Sequence, residues 1–355
     1  METIIITGSS GFIGYSLSKY LLKRDFRVIG IDMHNGEGEQ KRLQDERLSQ
    51  LIQFKNFKSV CKDLSEDLSD LKEYFNESNY VIHLAATPGV RESNRNPQKY
   101  IRNNIVAFSN VIEMAANSNI KHFIFASSSS VYGNMNIPVE GLKENMTGGK
   151  VQSVYAMTKI ANEIEALVFS KKSKMQITGF RFFSVYGPYG RPDMAIWLFA
   201  DSILKDKPVK VFGKGLMKRD FTYIDDVILC ISKVIKIKRS SSFEIYNIGS
   251  MRPQTVLSLL NCIETELGHK AKIIFEEKDI ADVNETFANM KKYAEEYEAG
   301  RELDFTRMEY GISKFCKWLI DFYKARHYKI FCVNVKYRIQ NRVLYFLFYI
   351  FTPKE

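Results

Sequence analysis

Residues 4–14 read IIITGSSGFIG, and no other stretch restricts the fold as strongly. A short apolar, β-branched run makes a buried strand, and glycines at 8, 11 and 14 follow it at once. FIGYSLSKYLLKR (12–24) then takes up helical apolar spacing. A strand that turns through glycines into a helix brings backbone N–H groups close to a pyrophosphate, which the helix N-terminus attracts. Gly8, Gly11 and Gly14, with Phe12 and Ile13 opening the helix, form the candidate cradle. The next strand, RVIGID (27–32), ends on Asp32. Its carboxylate can accept both ribose hydroxyls of NAD and repels the extra phosphate of NADP.

The alternation continues along the chain. YVIHLAA (80–86), HFIFAS (122–127) and ITGFRFFSVYG (177–187) read as strands. Between them, Pro97 opens a helix running through Ile105, Val111 and Met114, and a second helix spans about Val154 to Ser170. His34 to Gln50 is polar and reads as a loop with one or two exposed helical turns. Strands alternating with helices imply parallel βαβ units, an α/β fold with a doubly wound parallel sheet. After residue 187, Pro188, Pro192 and Pro208 interrupt shorter elements, which predicts a smaller lobe around the carboxyl ends of the strands.

Composition narrows the function classes. The five cysteines show no CxxC pair and the five histidines no HxH or HxxxH spacing, which argues against a protein-built metal site and for buried thiols in a reducing cytoplasm. METIIITG lacks the basic start and cleavage site of a secretory signal. The net charge is +10, but residues 322–355 hold seven Lys or Arg against Glu355 alone, leaving +4 for the body. A basic tail without a groove-reading motif does not describe a nucleic-acid binder. VLYFLFYIF (343–351) is too short to span a bilayer but suits peripheral contact with a membrane face, or packing on the body or a partner subunit.

YAMTK places Tyr155 and Lys159 one helical turn apart on one face. Met157, Ile160, Ile164 and Leu167 cluster on the opposite face, which predicts that they supply the packing. A neighbouring ammonium, together with a positive nicotinamide ring, lowers a tyrosine pKa toward neutrality. ASSSSVYG (126–133) adds four hydroxyls at the end of a buried strand.

With TGSSGFIG, HLAATPGVRES, NPQKYIRNN, ASSSSVYG, YAMTK, FRFFSVYGPYGRPDMA, KRDFTYIDD and NIG (247–249), the chain resembles the extended short-chain dehydrogenase/reductases. Within that branch it is similar to bacterial and plant UDP-glucuronate 4-epimerases over almost all of residues 1–325. The resemblance implies a Rossmann domain (1–180 plus 218–248), a discontinuous C-terminal lobe for the UDP-sugar (181–217 plus 249–330) and a tail (331–355). It assigns Ser128, Tyr155 and Lys159 to catalysis. Asp63 and Leu64 would flank the adenine, Leu84, Ala85 and Ala86 would lie beside the NAD, and Asn104 would support the strand ends. Ser127, Ser128, Ser129, Ser184, Arg191 and Met194 would face the sugar, Arg219 the UDP diphosphate, and Arg91 a phosphate or the fold. The helices at 97–117 and 154–170 pair into a homodimer interface in this branch. Ser184 stands where threonine is common, and DVNET (282–286) where DVPET is.

The same resemblance gives the serines a meaning. Enzymes of this branch oxidise C4 of the sugar, with tyrosinate taking the hydroxyl proton. Related 4,6-dehydratases carry Asp and Glu before VYG, and uronate decarboxylases a Glu; here Ser128, Ser129 and Ser130 occupy those positions. Without an acid there, the 4-keto sugar can only turn over and take hydride back on its other face. A 4-keto uronate is also a β-keto acid, which loses CO2 unless its carboxylate is held out of alignment with the ketone. Charge-assisted hydrogen bonds can hold it, at about 1.5–3 kcal/mol each. The competing expectations are an epimerase of neutral or N-acetylated UDP-hexoses and, from another class, a non-catalytic NAD-binding scaffold.

Overall fold

The computed structural model describes residues 1–146, 149–237, 239–279, 282–301 and 303–340, with side chains as far as Lys324. Its centre is a seven-stranded sheet built from β1 (Thr3–Thr7), β2 (Arg27–Asp32), β3 (Phe57–Cys61), β4 (Tyr80–His83), β5 (His122–Ser128), β6 (Gln176–Phe182) and, later in the chain, Phe243–Ile248. The spatial order is β3-β2-β1-β4-β5-β6 followed by Phe243–Ile248, and every pairing is parallel. A parallel sheet is covered on both faces, so its strands read as apolar runs. Strand alternation divides them cleanly. Ile4, Ile6, Val28, Ile82 and Ile124 enter one core, whereas Ile5, Ile29, Val81 and Phe123 enter the other.

The first core continues without a break into the C-terminal lobe, taking in Trp197, Val209, Leu259, Tyr293 and Phe315. That lobe contains the helices Ala195–Leu204 and Val256–Leu267, with Pro208–Phe212 paired in parallel to Lys272–Glu276. Its separated segments meet at Asp220, a buried carboxylate. Asp220 accepts from the Ser250 N–H (2.6 Å) and hydroxyl (2.7 Å), the Met251 N–H (3.1 Å) and the Ala288 N–H (3.0 Å). One charge thereby satisfies three loop amides that burial would otherwise orphan.

Three expectations need correction. Residues 38–51 form a fourteen-residue helix, Gly38–Leu51, not a loop with isolated turns. Its inner face consists of Leu43, Gln44, Arg47 and Leu51. Two of those four are polar, so the hydrophobic period that marks a helix is missing. Next, the helix begun at Pro97 is interrupted by a π-helical stretch, Ile101–Val106, before resuming as Ala107–Ala116. Asn104 occupies this stretch, and its carbonyl accepts from Asn162 Nδ2 at 2.8 Å. Widened turns of this kind recur at functional sites. Finally, most of the large apolar residues expected to supply the packing of Val154–Lys172 do not point inward. Ile164 is 60% exposed, and Met157, Leu167 and Val168 are each about 40% exposed, while Ala156, Thr158, Lys159, Asn162 and Ala166 face the body. Small and polar residues let that helix lie close to the strand ends.

The last helix, Met308–Gln340, runs into the basic segment. No helix among the described residues is long and apolar enough to cross a membrane. VLYFLFYIF (343–351), for which either peripheral membrane contact or packing on the body or a partner subunit is expected, lies outside the described residues.

Two buried histidines set an acid limit on this fold. Burial pulls His83 down to about 3, helped by the Lys159 charge, and pulls His122 down to about 4, helped by Arg239. Each ring is bonded to a sheet hydroxyl, His83 to Thr7 (2.9 Å) and His122 to Thr178 (2.7 Å). Both folded values lie below the ordinary value near 6.5, so below that pH the unfolded chain binds protons first. Stability is therefore present above pH 6.5 and falls toward pH 4, by about 1.4 kcal/mol per unit for each ring. Urea unfolding between pH 7 and 4.5 should show this slope, and His83→Asn should remove about one proton from it. A flat profile would contradict the assignment.

Candidate active site

β2 and β3 lie on one side of β1, and β4 to β6 on the other, so the strand order reverses between β1 and β4. A crevice opens outside the carboxyl ends at such a switch point. The residues singled out in the sequence gather there because each follows a strand end. Gly8 follows β1, Asp32 ends β2, Asp63 follows β3, Leu84 follows β4, Ser128 ends β5 and Ser184 follows β6.

The glycine turn is as close as its spacing implies. Gly8 has φ +69°, and a Cβ there would stand 2.8 Å from the Ala85 nitrogen. A Cβ on Gly14 would stand 2.0 Å from the Gly8 carbonyl oxygen. Only glycine lets the turn close and leaves the N-terminus of Phe12–Leu22 open to an anion. The Asp32 carboxylate is fixed beside it, accepting from the N–H groups of Ser10 (3.0 Å) and His34 (3.1 Å). The N–H groups of Leu84 and Ala85 donate to Thr7 Oγ1 at 3.2 Å. Asp63 is oriented by Ser65 (2.7 Å) and Arg102 (3.1 Å), with Leu64 buried next to it. A turn that excludes a Cβ at Gly8, Gly11 and Gly14, beside a fixed carboxylate, fits a dinucleotide.

Ser128, Tyr155 and Lys159 converge on the same crevice. Ser153 caps the helix that carries two of them, accepting from the Ala156 N–H at 3.1 Å. Ser93 accepts from the Tyr155 N–H at 3.0 Å, and Lys159 Nζ donates to the Ala126 carbonyl at 2.9 Å, 5.9 Å from the Tyr155 ring centre. Ser128 Oγ accepts from the Ser130 hydroxyl at 2.9 Å. Burial pulls Lys159 down to about 8 and pushes the Tyr155 phenol above its ordinary value, opposed by Arg191 and the Ser128 hydroxyl. Within the chain itself, then, desolvation outweighs the charges that were expected to lower the phenol.

Four serines stand together but face different ways. The buried Ser127 hydroxyl donates to Glu163, which is gripped on two sides by Arg181 at 2.9 and 2.8 Å. All four, Ser127 to Ser130, line the cavity. Ser184 is held by its N–H, which donates to the Asp220 carbonyl at 3.0 Å. Arg191 is forked onto Asp193, with Nε at 3.0 Å, and Met194 follows on the same wall. Arg219 lines the far end, where burial lowers its pKa and Asp282 opposes the fall. Arg91 is engaged by Asp282 at 2.6 Å and lies over Phe212 at 4.1 Å. Asn104 stands behind the wall, accepting from the Thr87 N–H at 2.7 Å and donating to Thr158 Oγ1 at 3.1 Å.

A single cavity of about 860 Å³ connects Gly8 and Asp32 with Tyr155, Arg191 and Arg219. The sequence reading missed part of its wall. Met33, Asn35, Gln40 and Gln44 extend it beyond Asp32, and Glu285 and Thr286 stand near Arg219. Gln40 and Gln44 were hidden with the helix 38–51, and Met33 and Asn35 lie in the loop that leads to it; the second group lay in DVNET, read only for its departure from DVPET. Arg47 was also missed. It is fully buried, pulled down to about 10 by burial and held up by Asp32.

A glycine turn at the switch point of a doubly wound sheet, facing a serine, a tyrosine and a lysine, defines an enzyme of the short-chain dehydrogenase/reductase class. The chain belongs to the NAD dependent epimerase/dehydratase family, matched over residues 4–249, and is an NAD-dependent nucleotide-sugar epimerase of the extended type. Protein CapI of Staphylococcus aureus is 36% identical over 342 residues, covering 90% of this chain and 99% of that protein. UDP-glucuronate 4-epimerase 5 of Arabidopsis thaliana is also 36% identical, over 90% of this chain and 76% of its own. The crystal structure of UDP-glucuronic acid 4-epimerase from Bacillus cereus, in complex with UDP-glucuronic acid and NAD, superposes with a TM-score of 0.84 at 30% identity, covering 90% and 99% of the two chains.

Asp32 generates a prediction. Asp32→Asn should weaken NAD binding by about tenfold and NADP binding by less, since it removes one charged acceptor and one repulsion. Titration of both dinucleotides into cofactor-stripped protein measures it, and an unchanged preference would place discrimination elsewhere.

Proposed function

We propose that the protein interconverts UDP-glucuronate and UDP-galacturonate at C4. The observation that carries this reading is the composition of one cavity wall. Tyr155 and Lys159 stand beside hydroxyls at 128–130, where an eliminating enzyme needs an acid, and Arg191 stands among the residues facing them. The relatives named for UDP-glucuronate add the sugar. Residues 181–217 and 249–330 serve as the lobe that takes the nucleotide, with Arg219 at the diphosphate.

Tyr155 takes the proton of the sugar 4-hydroxyl, with Ser128 bonded to the same oxygen. NAD, when bound, accepts the hydride from C4 and returns it, and its ring charge offsets the burial that raises the phenol. Lys159, anchored on the Ala126 carbonyl, stabilises the phenolate electrostatically. Arg191 and Ser184 hold the carboxylate of the 4-keto sugar out of alignment with the ketone, which blocks loss of CO2. Tyr155 then returns the proton after reduction on the opposite face.

Product analysis by NMR tests this. Wild type should form UDP-galacturonate with almost no CO2 release. Tyr155→Phe should lose at least about 100-fold in rate with UDP binding retained. Arg191→Ala should raise the share of turnovers ending in a decarboxylated 4-keto pentose, about tenfold for each 1.4 kcal/mol of lost restraint. Turnover of UDP-glucose with UDP-glucuronate left untouched would overturn the uronate assignment.

The exposed stripe Met157, Ile164, Leu167 and Val168, beside Val106, supports a homodimer through these two helices. Sedimentation at micromolar concentration should show a dimer, and Ile164→Asp should shift it to monomer. A wild-type monomer would reject this interface.

A further inference from the structure

One buried side chain ties the loop carrying Arg191 to the glycine turn. Arg47 donates from one Nη to the Ser10 carbonyl at 2.9 Å, and from the other to the carbonyls of Tyr189 at 2.5 Å and Gly190 at 3.4 Å. Ser10 lies inside the turn and binds Asp32 through its N–H. Tyr189 and Gly190 immediately precede Arg191. Tyr189 has φ +61°, a left-handed conformation that a bulky residue resists. Its ring lies 4.9 Å from that of Tyr15 and 4.8 Å from Trp318, and its hydroxyl accepts from Gln50 Nε2 at 2.6 Å. The helix Gly38–Leu51 thus holds the strained residue by its main chain through Arg47 and by its side chain through Gln50.

The choice of arginine follows from the geometry. Its planar fork offers donors on two sides at once, so it can span carbonyls from two separate loops, whereas a lysine ammonium concentrates its donors at one point. A residue that only filled space here would need neither charge nor two directed bonds.

We infer that Arg47 is a positioning residue that locks the Tyr189–Arg191 turn to the phosphate loop, so that Arg191 is presented to the sugar in register with the cofactor. This rests on the reading of Arg191 as a substrate contact. Arg47 acts through Arg191 and touches no reacting atom.

The test is a double-mutant cycle on NAD-replete enzyme, using the UDP-sugar that wild type converts. Arg47→Met should raise KM about tenfold while kcat falls less, and Arg47→Lys should recover part of the loss. In the Arg191→Ala background, Arg47→Met should add less than about twofold, because the group it positions is already gone. Tryptophan emission provides a readout without turnover. Trp318 touches Tyr189, and Trp197 lies 5.5 Å from Trp318, so release of Tyr189 should shift emission in Arg47→Met. Additive KM effects, or an unchanged KM with unchanged emission, would overturn the inference. Should Arg47→Met not fold, Tyr189→Phe removes the hydroxyl's bonds to Gln50 and Tyr15 and leaves the main-chain contacts of Arg47 in place. It should raise KM about threefold, again non-additively with Arg191→Ala. Failure of wild type to convert UDP-glucuronate would reject the proposed substrate alone, while additivity would reject the clamp alone.

Discussion

The structure depends on the close approach of two backbones where β1 and β4 leave the sheet side by side. Gly8 lies so near Ala85 that a Cβ on it would meet the Ala85 main chain at 2.8 Å. That contact sets the depth of the crevice and turns the first helix so that its N-terminus faces inward. Thr7, one residue earlier, holds the Leu84 and Ala85 amides with the same hydroxyl that bonds His83. The sheet, the cofactor turn and the loop after β4 are therefore fixed by one small cluster, and every later strand delivers its residues relative to it.

The electrostatics follow from burial in the same place. Lys159 and Arg47 are both cations driven down by desolvation, and each is anchored by backbone carbonyls, Lys159 by that of Ala126 and Arg47, through its two Nη groups, by those of Ser10 and Tyr189. Tyr155 is driven the opposite way, because its charged form is an anion. The phenol is raised in the chain by itself, and a positive charge brought into the cavity beside it would lower it.

The elements after residue 187 show how segments outside the main sheet are held to it. Their apolar side chains extend the core on one sheet face, and Asp220 gathers the amides of two loops that are far apart in sequence. A carboxylate with several directed donors fixes loops more sharply than apolar contact, which tolerates sliding. Ser184 is paired to the Asp220 carbonyl, so the same anchor sets the edge of the substrate end.

The sequence by itself determined the strand and helix alternation, the glycine turn with Asp32, and the pairing of Tyr155 with Lys159. Each of these is local: a period of two or of 3.6, or a spacing that sterics permits only to glycine. Only tertiary structure decided the rest. The helix Gly38–Leu51 was invisible because its buried face includes Gln44, which accepts from the Gly36 N–H, and Arg47, whose burial is favourable only once Ser10 and Tyr189 supply acceptors. The outward turn of Ile164 and Met157 could not be read from periodicity, since an apolar stripe does not say whether a core or another surface covers it. The different roles of four identical serines were equally hidden. All four line the cavity, but the Ser127 hydroxyl is taken by Glu163 while that of Ser128 accepts from Ser130, and only the packed helix supplies the first partner.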